Sequence, residues 1–260
     1  MAILNGFPVL MYHALSIEPV KEAYVLTQDQ FRLQMSGLAR LGKYGTSVED
    51  LLARGTADPH AVVVSFDDGH VTNKTMALPI LEEFGFKATF FVTTGKIGTD
   101  ADWLSWDDLV GLKRSGMDIQ AHGHTHRFLD NLAENEQWEE MHRPLELLTQ
   151  HLGAGRRHFS FPGGRYTDAA IEVARKLEYS ALCTSEPGLN NPSSANAARL
   201  FKRFLVDQRT TAQVFEKFVL RDSVYARWMF GKYMVKKLAK QILGNSVYHT
   251  IWRATHNSER

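Results

Sequence analysis

The chain contains one cysteine, Cys183, among 260 residues. No disulfide can form within it, so packing and hydrogen bonds must hold it together. It lacks any run approaching the ~20 apolar residues that span a bilayer. It also lacks an excess of either charge. Thirty Lys and Arg against 29 Asp and Glu leave a formal net charge of +1, so no whole-chain field draws it to nucleic acid. Residues Met1 to Pro8 hold neither a basic segment nor a long apolar one. No secretory leader is read there, and the expectation is a cytoplasmic location. What is present, 44% hydrophobic and 23% charged residues, is the composition of a globular chain with ample material for a core.

Short apolar runs alternate with helical patterns. Strands are expected at Phe7–Tyr12, Ala61–Phe66, Ala88–Val92, Met117–Ala121, His158–Phe161, Ser180–Cys183 and near Phe204–Val206. Helices are expected at Gln28–Leu41, after Ser47, Thr72–Phe84, after Ser105, Glu134–Leu152, after Thr167 and after Thr210 or Thr211. Thr27 with Gln30 spells a capping box. Strands alternating with helices indicate an α/β fold with parallel strands. The unusual polar clusters all follow strands: His13, Asp67-Asp68-Gly69, His122-Gly-His-Thr-His126 and Pro162-Gly-Gly164. In a parallel barrel those ends meet on one face, where active sites form.

The stretch Val62-Val-Val-Ser-Phe-Asp67-Asp68-Gly69 carries the strongest signal. Two adjacent carboxylates at the end of a buried strand raise each other's pKa unless a cation or hydrogen bonds compensate. Asp68 with His122 and His126 makes a credible metal set. Two imidazoles and one carboxylate leave positions open for water and substrate, as catalytic zinc requires. Cobalt, nickel or iron suit the same donors.

Ser-Phe-Asp67-Asp68-Gly69 resembles the first motif of the polysaccharide deacetylases (carbohydrate esterase family 4, NodB-homology domain), and His122-Gly-His-Thr-His126 resembles their second. The likeness runs over roughly residues 7–220. It implies a distorted (β/α) barrel of about seven parallel strands, followed from 221 by an extension. It implies that Asp67 is the general base on a metal-activated water, and that Asp68, His122 and His126 hold the divalent metal. It also implies that the Gly163 N–H faces the tetrahedral oxyanion. The substrate would be an acetylated glycan or lipid-linked sugar and the reaction N-deacetylation. An O-acetyl esterase, another C–N amide hydrolase and a non-catalytic carbohydrate-binding protein stay open on the same scaffold.

Two family features are missing. Ser160 stands where many members have the arginine that orients the base, and Arg165 is the nearby substitute. The late histidine that serves as acid is also absent; His249 fits that role poorly. Pro8-Val-Leu-Met-Tyr-His13 resembles the first strand of the subgroup acting on poly-N-acetylglucosamine exopolysaccharides, which implies that His13 is the acid. Trp103, Trp106, Phe128 and Tyr166 are candidate sugar-stacking aromatics. In the tail, Arg221–Arg260 carries eight Lys/Arg against two acidic residues. Phe230, Met234, Leu238 and Ile242 recur every four positions among lysines, the pattern of a basic amphipathic helix. Packing on the barrel and peripheral contact with an anionic membrane, on the inner face for a cytoplasmic chain, are both compatible with it.

Overall fold

The computed structural model describes residues 6–54, 58–191 and 199–238. The chain runs β1 (Val9–Tyr12), β2 (Ala14–Ser16), β3 (Val25–Thr27), α1 (Gln28–Arg40), β4 (Tyr44–Thr46), α2 (Val48–Ala53) and β5 (Ala61–Phe66). A π-helical turn (Asn73–Ala77) leads into α3 (Leu78–Glu83), followed by β6 (Thr89–Val92), α4 (Trp106–Arg114), β7 (Asp118–Ala121) and α5 (Glu134–Leu152). Then come β8 (His158–Ser160), α6 (Asp168–Lys176), β9 (Ala181–Cys183), β10 (Leu200–Phe201), β11 (Phe204–Leu205) and α7 (Ala212–Val219). Residues 223–238 form a last helix, α8.

Local chemistry sets many of these boundaries. The Thr27 hydroxyl accepts from the Gln30 N–H while the Gln30 side chain accepts from the Thr27 N–H, the reciprocal box read from the sequence. Ser105 and Asp108 make the same exchange at the start of α4. Ser47, Thr167 and Thr211 cap α2, α6 and α7 through their hydroxyls. Each such cap is worth about 1 kcal/mol because it satisfies an orphan backbone donor.

Nine strands form one sheet in the order β10-β9-β8-β7-β6-β5-β1-β11, with β4 paired to β5. All of its pairings are parallel. The sheet curls into a half-barrel with helices on its outside. The seven expected strands are all present. The additional β4 and β10 are too short to leave an apolar run. A second parallel pair, β2 with β3, follows β1. On one edge of β5, β4 pairs the first half and β6 the last residues.

Side-chain alternation along the strands divides the interior from the outer layer. On β5, Val62, Val64 and Phe66 pack against the helices, while Ala61 and Val63 face the barrel interior with Val9, Phe91, Ala181 and Cys183. Continuing the period of two puts Ser65 and then Asp67 on the inner side. The same count puts His122 and Ser160 inside at the ends of β7 and β8. At the opposite end of the barrel, Asp118 accepts from Thr89 Oγ1 (2.8 Å) and Gln120 Nε2 (2.6 Å), and His158 Nε2 lies 3.0 Å from Glu49. Burial pushes the Asp118 carboxyl above its usual range.

Outside the sheet, Tyr12, Phe66 and Phe90 form a continuous stack with centroid spacings of 5.3 and 5.0 Å. Phe31 of α1 meets both Tyr12 and Phe66 edge-on. This stack fixes the three strands whose ends carry His13, Asp67 and Thr93. Phe66→Ala is therefore expected to lower stability by about 3–5 kcal/mol, through lost burial and a residual cavity. Urea unfolding would measure this; a loss below about 1 kcal/mol would contradict the role given to the stack.

Candidate active site

Register brings the site together. Tyr12 pairs with Phe66 across β1 and β5, so His13 and Asp67 leave adjacent strands at the same level. Val92 pairs with Ala121, so His122 leaves β7 beside Thr93. The His122 N–H donates to the Val92 carbonyl and the Asp67 N–H to the Tyr12 carbonyl, prolonging both ladders. Asp68 and His126 have positive φ angles of 77° and 65°. Non-glycine residues seldom adopt that region, and where they do the surroundings must hold them there. Gly69 and Gly123, also at positive φ, let the chain turn immediately beyond Asp68 and His122.

Asp68, His122 and His126 offer ligand atoms that all lie within 4.8 Å of one another. Asp68 Oδ1 is 3.4 Å from His122 Nε2 and 3.0 Å from His126 Nε2. Despite these approaches, Oδ1 is buried without an aligned hydrogen-bond donor. His122 Nδ1 lies 2.8 Å from the Ser160 carbonyl, which it can serve only as a donor, so Nε2 is the ring nitrogen turned toward Asp68. This arrangement, a carbonyl fixing the tautomer of a ligating histidine, is common around metals. Burial disfavours the Asp68 charge, but the two histidines outweigh it and hold the carboxyl far below its usual range. Three converging donors around an unbonded carboxylate oxygen fit a divalent cation.

The loop carrying the histidines is clamped from behind. Glu140 of α5 is buried and accepts from the His124 and Thr125 N–H groups at 3.0 and 2.9 Å. It also accepts from the Thr125 hydroxyl. His124 itself points away from the trio, with Nδ1 3.0 Å from Thr94 Oγ1.

Asp67 has a different environment. It is 2% exposed and faces Arg203, which is fully buried. Nη1 and Nη2 of Arg203 each donate to one Asp67 oxygen at 2.7 Å. The Ser160 hydroxyl donates to Asp67 Oδ2 at 3.2 Å and accepts from Arg203 Nη2 at 2.8 Å. Arg203 Nε donates to the Thr184 carbonyl, which fixes the plane of the guanidinium. Burial opposes the Asp67 charge, but Arg203 and His122 prevail and depress its pKa, so the carboxylate stays ionised.

Arg203 corrects the sequence reading. Arg165 does not reach Asp67. It bonds Asp130 Oδ2 and Asn131 Oδ1 and lies over the Phe128 ring at 4.7 Å. Ser160, which occupies the position of the absent arginine, instead touches both members of the ion pair. Arg203 stands with Lys202 as one of two adjacent cations between the apolar pairs Leu200-Phe201 and Phe204-Leu205. The sequence marks a strand near Phe204–Val206 but none at Leu200–Phe201, and it does not show that the two lie beside β1 and β9.

His13 sits where β1 ends, and its ring lies 5.1 Å from Tyr24. Its carbonyl accepts from Asn73 Nδ2, and its Nδ1 is buried without a partner. Burial lowers its pKa, while Asp67 and Asp68 pull the other way. Gly163, at φ 60°, lies in the Pro162–Gly164 turn. Its N–H finds no acceptor among the described residues. A Cβ there would lie 2.8 Å from the Phe128 ring.

Of the aromatic candidates, Trp103 takes Lys96 over its ring at 4.0 Å and meets His70 edge-on. Tyr166 stacks on Phe161 and donates to Glu186. Trp106 stacks on His151 at 4.0 Å and joins α4 to α5, so it is a packing residue. Cys183 is buried, with its thiol pushed up to about 12, and is inert. His249 lies outside the described residues.

A curled parallel sheet with helices outside, and a carboxylate–imidazole cluster beside an ionised carboxylate at its strand ends, defines an α/β-barrel site with a metal hydrolase's donor set. The chain carries a polysaccharide deacetylase domain: that family's model matches residues 54–182. It is 28% identical over 185 residues to YxkH of Bacillus subtilis, whose name gives the family and no substrate. It is 26% identical over 192 residues to a poly-β-1,6-N-acetyl-D-glucosamine N-deacetylase of Staphylococcus aureus. These matches take in 70% and 66% of the chain but just under two thirds of each relative, 65% and 64%. Among solved structures, the Streptococcus pyogenes deacetylase PplD in complex with acetate superposes with a TM-score of 0.75 at 25% identity, covering 82% of this chain and 98% of that one. IcaB from Ammonifex degensii gives 0.71 at 24%, covering 87% and 97%, a likeness of fold.

The buried pair yields a test. Arg203→Met leaves the Asp67 charge buried and unpaired, a loss of about 3–5 kcal/mol. Adding Asp67→Asn should restore more than half of it. Urea unfolding of the wild type and both variants in metal-free buffer would reveal this; a double variant no more stable than Arg203→Met would refute the pairing argument.

Proposed function

We propose that this chain is a metal-dependent N-deacetylase of an acetylated amino-sugar polysaccharide or glycolipid. One observation carries the reading. A three-donor cluster, Asp68 with His122 and His126, adjoins a second carboxylate, Asp67, that is clamped ionised by Arg203. The polysaccharide deacetylase domain and the named activity of the Staphylococcus aureus relative support the same substrate class.

Under this reading, Asp68, His122 and His126 would hold a divalent cation, for which zinc is the best match to two imidazoles and a carboxylate. When bound, such a cation supplies Lewis acidity, which polarises an acetyl carbonyl and acidifies water. The protein's own groups do the rest. Asp67 takes a proton from the attacking water. Its depressed pKa makes it a weak base, adequate only for an acidified water, and this matches the donor cluster beside it. Arg203 and Ser160 are positioning residues that fix the Asp67 carboxylate plane. His13, unbonded at Nδ1, delivers a proton to the leaving amine. The Gly163 N–H donates to the developing oxyanion.

The missing third-motif arginine and the missing late histidine are what favour a non-catalytic sugar binder. Arg203 weighs against the first, because it orients the Asp67 carboxylate from the turn before β11. No helix among the described residues is long and apolar enough to cross a membrane.

Acetate release from β-1,6-linked N-acetylglucosamine oligomers is the direct test, run beside O-acetylated glycans and with a chelator. Release from the N-acetylated substrate, lost on chelation and restored by zinc, is the expected result. Release only from O-acetylated substrate would move the assignment to an esterase, and chelator-insensitive release would defeat the metal role. His13→Ala should bind zinc as the wild type does and lose about 10²-fold or more in kcat; near-normal turnover would remove His13 as the acid.

A further inference from the structure

Helix α8 has two faces of different character. Tyr225, Met229 and Tyr233 are half-buried and Ala226 is buried against the barrel. Phe230 also turns inward, beneath Lys202, whose Nζ lies 4.1 Å from its ring centre. The helix starts near the N-terminal end of the barrel, where Arg221 donates to the Asp58 and Ala61 carbonyls. It reaches the C-terminal end, where Lys237 pairs with Glu186 at 3.2 Å. Glu186 accepts from Tyr166 and belongs to the loop after β9, from which Thr184 holds Arg203. The far end of α8 is thus tied to the catalytic rim.

The opposite face is apolar and exposed. Val224 is 68% exposed, Trp228 53%, Val235 70% and Leu238 56%. With Gly231 they fall at spacings of 4, 3, 4 and 3, which forms one stripe along the helix. Phe230 and Met234, expected from the sequence to share one stripe with Leu238, do not: Phe230 packs on the barrel and Met234 lies at the stripe's edge. Arg227 flanks the exposed stripe on one side, Lys232 and Lys236 on the other. Lys232 folds over the Trp228 ring at 4.4 Å. Trp228, Gly231, Val235 and the stems of Lys232 and Lys236 line an open, almost wholly apolar groove. Residues 223–238 contain no acidic side chain.

We propose that this face of α8 docks on an anionic lipid bilayer. Trp228, Val224, Val235 and Leu238 would insert at the acyl boundary, and Arg227, Lys232 and Lys236 would meet the headgroups. Charge selects this occupant. A second copy of the chain docked helix to helix would oppose Arg227, Lys232 and Lys236 to the same cations with no carboxylate between them. A neutral apolar partner would leave the lysines unused. The stripe is also too narrow and too basic to be a core face left uncovered. Docked this way, the helix would hold the catalytic rim next to the membrane through Lys237 and Glu186. The proposal stands independently of the catalytic reading.

Co-sedimentation of the full chain with phosphatidylcholine vesicles, with and without about 30 mol % phosphatidylglycerol, tests it. Binding should require the anionic lipid and weaken in ~0.5 M NaCl. Each basic residue near such a surface contributes roughly fivefold to partition, so K232E/K236E should reduce it by roughly 25-fold or more. Acetate release from a soluble oligomer should stay unchanged in that variant. Equal binding to neutral vesicles, or undiminished binding of K232E/K236E, would overturn the proposal. So would a dimer by light scattering that Val235→Asp dissolves while vesicle binding is absent. Val235→Cys gives a readout that needs no loss-of-function variant, because Cys183 is buried and an environment-sensitive dye goes to the new thiol. Its emission should shift to the blue on anionic vesicles only, and no shift would overturn the insertion.

Discussion

The bidentate contact between Asp67 and Arg203 is the constraint around which the upper half of this barrel is arranged. Two full charges are almost wholly buried, and each would be strongly destabilising alone. Their pairing at 2.7 Å on both branches, with Ser160 touching both and the Thr184 carbonyl holding the remaining edge, makes the burial tolerable. It also ties four strand ends together, because Asp67 follows β5, Ser160 ends β8, Thr184 follows β9 and Arg203 precedes β11. The result is a carboxylate held ionised and immobile next to a second one.

That second carboxylate, Asp68, has the opposite surroundings. Its Oδ1 faces two imidazoles and has no aligned donor of its own. One peptide bond separates the two groups, yet the strand period and the positive φ at Asp68 send them to different partners. This is how adjacent identical side chains come to hold different charge environments, and it underlies the division of roles proposed for them. The barrel below is packed to support it. The apolar middle of the interior, with Val63, Phe91 and Cys183, separates the site from the polar network of Asp118, Gln120 and His158 at the other end.

Much of this was legible in the chain. The seven main strands left apolar runs, and the helix starts left Thr or Ser caps with partners three residues on. Asp68, His122 and His126 stood out because ligand types at strand ends are rare without a use. Short strands were not legible: Tyr44–Thr46 and Leu200–Phe201 are too brief to show a period. Arg203 was missed for the same reason. An arginine between two apolar pairs reads as a surface residue until β10 and β11 are known to carry it inward. Arg165 was preferred on nearness in sequence, which is a poor guide in a fold whose neighbours come from distant strands.

By itself the sequence determined what depends on local order: the alternation of strand and helix, the caps, the ligand types and the basic character of the tail. These follow from side-chain periodicity and short-range hydrogen bonding, which a linear string records. Tertiary structure alone decided which arginine clamps Asp67, that His13 leaves its strand level with Asp67, and which face of α8 is left to solvent. Each of those depends on strand register and on what the curled sheet covers. A one-residue change of strand register would turn Asp67 and its strand neighbours to the other face without altering a letter of the sequence.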